Sequence, residues 1–230
     1  MWINILLVFL GAVLFLLHFY NNWIFSKWKK HSNKLASFVA GISVSYLFLY
    51  LFPELYEGVK FLNKSLFVYV LLGFMLLHIV EKQIRQSRSI EKLRLRLKEE
   101  HSIVFFVYYF ILGIILVELI NLNILKGLLF FFIILFHSMV SVASLKQIHQ
   151  KLIAKKIFKI VLSISTLLGI LFALFVKFPQ SVYYILIGFV AGALLYIVVR
   201  DIIPKQSDSK LIYFIFGALL YMVLIMLTWL

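Results

Sequence analysis

Phe38-Val39-Ala40-Gly41 and Phe189-Val190-Ala191-Gly192 repeat one another, and a proline follows each glycine at the same distance, Pro53 in one stretch and Pro204 in the other. Both stretches are apolar and long enough to cross a bilayer as helices. The charge pattern described below sends them across in opposite directions. A unit present twice, in opposite orientations, is an inverted repeat.

The surrounding composition fits that reading. The chain has 230 residues, 64% of them hydrophobic, and a mean hydropathy of +1.06. A soluble domain lacks the polar surface to cover so much apolar area, so lipid is the expected solvent. Eight apolar segments are marked at about 2–25, 35–56, 64–81, 102–121, 123–145, 157–177, 181–203 and 211–230, most near the roughly 20 residues a spanning helix needs. The expected fold is all-α, a polytopic membrane protein with eight transmembrane helices. The first segment does not read as a cleaved signal peptide: Met1-Trp2-Ile3-Asn4 carries no basic side chain, the apolar run is long, and no small-residue cleavage site follows. Cysteine is absent, which excludes disulfides and thiolate metal sites.

The net charge of +14 does not imply nucleic-acid binding, because its placement follows the membrane. Of the 23 Lys and Arg, only Lys60, Lys64, Lys126 and Lys177 lie outside the connections 1–2, 3–4, 5–6 and 7–8. The positive-inside rule puts those basic connections in the cytoplasm and both termini outside. Anionic lipid at the cytoplasmic face is the expected partner of the excess charge. Trp2 and Trp229 at outer span ends, with Trp23 and Trp28 around the first inner end, fit the interfacial preference of indole rings.

Residues 1–230 form a single transmembrane domain in this reading. Spans 1–3 (2–81) and 6–8 (157–230) are the repeats, and spans 4–5 (102–145) lie between them, a 3+2+3 order. Short links at Asn121-Leu122-Asn123 and Phe178-Pro179-Gln180 make the helices they join antiparallel neighbours. The basic cytoplasmic loop 82–101 interleaves Ile90, Leu93, Leu95 and Leu97 with Lys92, Arg94, Arg96 and Lys98. It reads either as a short amphipathic helix on the inner face or as a solvated linker.

Span 2, GISVSYLFLYLFPE at 41–54, resembles the second helix of the ZIP family of divalent-metal transporters, which ends in a His-Leu-Leu-Pro-Glu type sequence. Span 7, with Leu195, Tyr196, Asp201 and Pro204 after Gly188, is similar to that family's seventh helix, and span 3, with Gly73 and Glu81, to its third. The resemblance covers span count, topology and repeat order. It implies a transporter with zinc or another divalent cation as substrate, bound between helices 4 and 5. The family's motifs there are His-Asn-x-x-Asp-Gly and His-Glu-x-x-His-Glu. Here Tyr108, Tyr109 and Leu112 stand at the His, Asn and Asp positions before Gly113, and of the helix 5 motif only His137 remains. Tyr50 stands where a histidine is common in helix 2. The His-rich loop many members carry between helices 3 and 4 is missing.

Individual residues divide between chemistry and packing. A turn centred near Leu122 sets His137 level with Tyr108, with Ser141 one turn along the same face. His137 is the candidate metal ligand; otherwise it is a neutral histidine donating to Tyr108 or to a backbone carbonyl. Ser138 and Ser141 share a polar stripe on span 5 that lines a pathway or packs helices. Glu118, an acid within the apolar run of span 4, guards a pathway or reaches the outer interface. Tyr50, Glu54 and Asp201 are the candidate gate; the alternatives are a solvated helix end for Glu54 and an interfacial pair with Arg200 for Asp201. His18, His78 and His149 lie towards cytoplasmic span ends and form no cluster in sequence.

No catalytic motif occurs, so the chain reads as no enzyme. Two functions remain. One is ZIP-like transport through a ligand-poor site. The other is a ZIP-derived structural or regulatory subunit that acts through a protein partner, with a homodimer also compatible. Richness in Lys, Ile, Phe and Asn points to an AT-rich bacterial genome and to the inner (plasma) membrane.

Overall fold

A computed structural model describes residues 2–28, 32–86, 91–149, 156–199 and 210–229; the side chains of 21–32, 81, 84–102 and 139–159 fall outside that description. Among the described residues the structure is helical, without strands. The elements are α1 (Trp2–Trp28), α2 (Ser32–Tyr46), a π-helical segment (Leu47–Leu51), α3 (Phe52–Leu62), α4 (Leu66–Gln86), α5 (Glu91–Leu122), α6 (Ile124–His149), α7 (Lys156–Phe175), α8 (Gln180–Ile197) and α9 (Leu211–Met226).

Among the described residues, four stretches are long and apolar enough to cross a membrane: Trp2–Tyr20, Asn33–Val80, Ile103–Leu122 and Gln180–Ile197. Asn33–Val80 is not one rod. It turns at Asn63, whose φ of 52° is the left-handed value a non-glycine residue rarely adopts, followed by a 3-10 turn over Asn63–Ser65. Ile124–Ser138, Ile160–Phe175 and Leu211–Met226 are shorter apolar helices. Large apolar side chains stand exposed along α4 (Phe67, Leu71, Met75) and α9 (Ile212, Phe216, Leu219), a surface suited to acyl chains rather than water.

Local sequence explains the breaks. Asn123 ends α5 and caps α6, its side-chain oxygen accepting from the backbone N–H of Leu125 at 2.8 Å and of Lys126 at 3.3 Å. Pro179, in extended conformation, precedes α8. The π segment lies just before Pro53, which has no N–H and whose ring would press on the carbonyl four residues back; a widened turn relieves both problems. Val198 and Val199 are also π-helical and stand before Pro204 as Leu47 and Phe48 stand before Pro53. Within 82–101 the described residues are helical: α4 runs on to Gln86, and α5 begins at Glu91 and continues unbroken into the apolar run. Leu, Lys, Arg and Glu are strong helix formers, and no Gly or Pro interrupts them.

α2 packs on α9 and α4 on α8; α7 packs on both α5 and α1. Glycines set these contacts. A Cβ on Gly41 would lie 2.1 Å from the Phe214 carbonyl oxygen, and one on Gly217 would lie 2.3 Å from that of Phe38. A Cβ on Gly192 would lie 1.8 Å from the Val70 oxygen, and one on Gly73 would lie 2.0 Å from that of Phe189. The two contacts therefore use the same positions of the two Phe-Val-Ala-Gly stretches, against glycines three residues beyond Phe214 and Val70. Gly113 and Gly169 face Thr166 and Phe110 in the same reciprocal way between α5 and α7. Small residues let helix backbones touch where lipid offers no hydrophobic drive to association.

Candidate functional site

A cavity of about 20 Å³ lies where α5, α6 and α8 meet, bordered by Tyr108, Leu112, Ile133, His137, Val190 and Leu194 among others. That is room for about one water. His137 is buried, and its Nε2 lies 2.8 Å from Ser43 Oγ on α2. Ser43 Oγ donates to the Val39 carbonyl at 2.7 Å. With the one hydroxyl proton directed there, the network assigns Nε2–H as donor to Ser43 and leaves the lone pair on Nδ1. The site thus offers a neutral imidazole and a phenol beside a small space. Among the described residues no group of three or more His, Asp or Glu is placed to hold a metal ion.

An aromatic stack continues from the cavity along α2 towards α3. Phe130, a lining residue, packs on Tyr46 at a ring separation of 6.1 Å. Tyr46 stacks on Tyr50 at 5.0 Å, and Tyr221 meets Tyr46 edge-on at 6.1 Å. Tyr221 donates its hydroxyl to the Leu129 carbonyl, but the buried hydroxyls of Tyr46 and Tyr50 have no partner. Beyond Tyr50, Glu54 accepts a 3.2 Å hydrogen bond from Tyr183. The Lys126 ammonium lies over the Tyr50 ring, 5.8 Å from its centre. From Ser43 to Glu54 the helix rises by about 16 Å, so the stack separates an acidic end at Glu54 from the cavity.

The structure brings Tyr108 and His137 to the same cavity. Tyr50 is buried at the far end of the stack and Glu54 is half-buried one turn beyond it. Glu118 is partly exposed on α5 and is not among the lining residues. Ser138 turns its hydroxyl onto its own helix, donating to Leu135 O at 2.8 Å. The Ser141 side chain and all of Asp201 and Arg200 lie outside the described residues.

Ser43, Tyr46, Tyr183 and Lys126 are additional to the residues that sequence reading singles out. Their signal is the spacing of Ser43, Tyr46 and Tyr50, which puts three polar atoms on one face of an apolar helix. His18 also differs from an interfacial histidine: both ring nitrogens are sealed without a hydrogen-bond partner, and the ring meets Tyr109 edge-on at 4.5 Å. The chain matches no protein-family model and no curated protein.

Proposed function

We propose that the chain crosses the bilayer eight times in a 3+2+3 inverted repeat and acts as a transport protein of ZIP-like design. The observation that carries this reading is the pair of equivalent glycine contacts, Gly41 with Gly217 and Gly192 with Gly73. Each joins the second helix of one half to the third helix of the other. Two equivalent cross-contacts are what a two-fold relation between halves requires, and such a relation lets both ends of a pathway open by the same movement. Spans 1–3 and 6–8 would then shift against α5 and α6 around the cavity at Tyr108 and His137.

The substrate in this reading is a divalent cation that keeps part of its water shell, since zinc held by protein alone takes four ligands and the cavity supplies one imidazole. Metal binding and uptake test it. Stoichiometric zinc, manganese or iron, bound by the purified protein and lost in His137→Ala, is the expected result. Uptake unchanged in His137→Ala and in Glu118→Ala removes the site.

The sparse ligand set favours a second reading, a transporter-derived subunit acting through a partner. It is distinguished by reproducible co-purification of one protein together with no metal-induced thermal shift.

A further inference from the structure

The mouth of the aromatic stack holds a cation of the protein's own. Lys126 places its ammonium over the face of Tyr50, within the roughly 6 Å at which a ring attracts a cation. Tyr50 is backed by Tyr46 in a near-parallel stack, 16° between planes, and Tyr183, edge-on to Tyr184 at 5.1 Å, donates its hydroxyl to Glu54 one helical turn beyond Tyr50. Glu54 supplies the counter-charge: it follows Tyr50 by one helical turn, and its hydrogen bond comes from Tyr183. Among the described residues the direct ion pair is Lys60 with Glu57. Lys126 therefore sits on an aromatic face with a carboxylate near but not in contact.

We propose that this mouth is a binding site for a substituted ammonium cation, and that Lys126 is its tethered occupant. The donor set decides the class. A divalent ion beside a single carboxylate keeps most of its water and gains little from ring faces, whereas ring faces are what this end of the stack presents. An alkylammonium is weakly hydrated, so it loses little on leaving water and gains from aromatic faces, best when one anion balances its charge. Lysine suits a removable occupant because its charge rides on a flexible four-carbon stem. Displacing that stem frees the position over the Tyr50 face that the Lys126 ammonium holds. The site lies on the far side of Tyr46 and Phe130 from His137, so its fate does not depend on metal transport.

The test is calorimetric titration of the purified full-length protein with tetramethylammonium chloride, with sodium chloride at matched ionic strength as the blank. Lys126→Ala is expected to bind about tenfold more tightly than wild type, a gain typical of a desolvated cation–aromatic contact. Adding Tyr50→Leu removes the gain, and adding Glu54→Gln reduces it. Lys126→Ser shortens the side chain in the same way and reproduces the result independently. Equal affinity in wild type and both Lys126 variants overturns the proposal, as does a gain that survives Tyr50→Leu. Magnesium or calcium binding as tightly as tetramethylammonium to Lys126→Ala overturns the assignment of ligand class.

Discussion

α2 and α8 have the same backbone plan and different linings. Both carry Phe-Val-Ala-Gly, both are gripped by a glycine of a third helix, and both widen into a π turn ahead of a proline. At matching positions, however, α2 has Ser43 and Tyr46 where α8 has Leu194 and Ile197. Ser43 holds His137 and Tyr46 heads the aromatic stack, while Leu194 and Ile197 give the cavity an apolar wall. Close backbone contact fixes glycine at both places, because any Cβ collides. Side chains that line a space are free of that constraint, so at these two positions α2 carries polar groups and α8 does not.

The strongest way to break the comparison is to attack what the two helices share. Gly41→Ala and Gly192→Ala each push a Cβ into a carbonyl, and each is expected to lose about 3 kcal/mol, the upper range for overpacking. Gly188→Ala meets the flexible tip of Leu66 at 3.2 Å and backbone no nearer than 3.5 Å, and is expected to lose less than about 1 kcal/mol. Unfolding in mixed detergent measures all three. A Gly192 variant as mild as the Gly188 one refutes the shared grip.

Ser43→Ala tests the polar face of α2 alone. It leaves the His137 N–H buried without its acceptor and is expected to cost about 2 kcal/mol in the same assay. No change would mean that the imidazole has another acceptor. The phenols give a smaller effect with opposite signs. Tyr46→Phe and Tyr50→Phe remove hydroxyls that have no partner and are each expected to gain about 1 kcal/mol. Tyr221→Phe removes a hydroxyl that has one and is expected to lose about 1 kcal/mol. Smallest of all is Glu57→Gln. It breaks an exposed pair with Lys60 outside the shared framework and should leave the melting temperature unchanged, because solvent screens such pairs.

Sequence carries the helical class, because eight apolar runs with basic links leave few alternatives. It also carries the equivalence of Gly41 and Gly192, since identical neighbours and identical proline spacing mark them. The meeting of Tyr108 and His137 follows from the register around a tight turn. The bond from His137 to Ser43 does not follow, because it joins α6 to α2 across a long stretch of chain, and no local spacing encodes which face of α2 turns inward. Residues 91–101 were ambiguous for a related reason. Their alternating Leu and basic residues have no clear helical periodicity, and their propensity favoured helix only once α5 was there to extend.

The grip of α9 on α2 has a consequence for biogenesis. Ser45 donates to the Ala218 carbonyl at 3.0 Å, a contact spanning 173 residues of sequence. At synthesis rates of about 5–20 residues per second, α2 waits roughly 10–35 s for its partner. Through that interval Gly41 presents bare backbone to lipid or to the insertion machinery. A chaperone that shields small-residue helix faces would act on this nascent chain before α9 emerges, and a stall between α8 and α9 would expose that face to degradation.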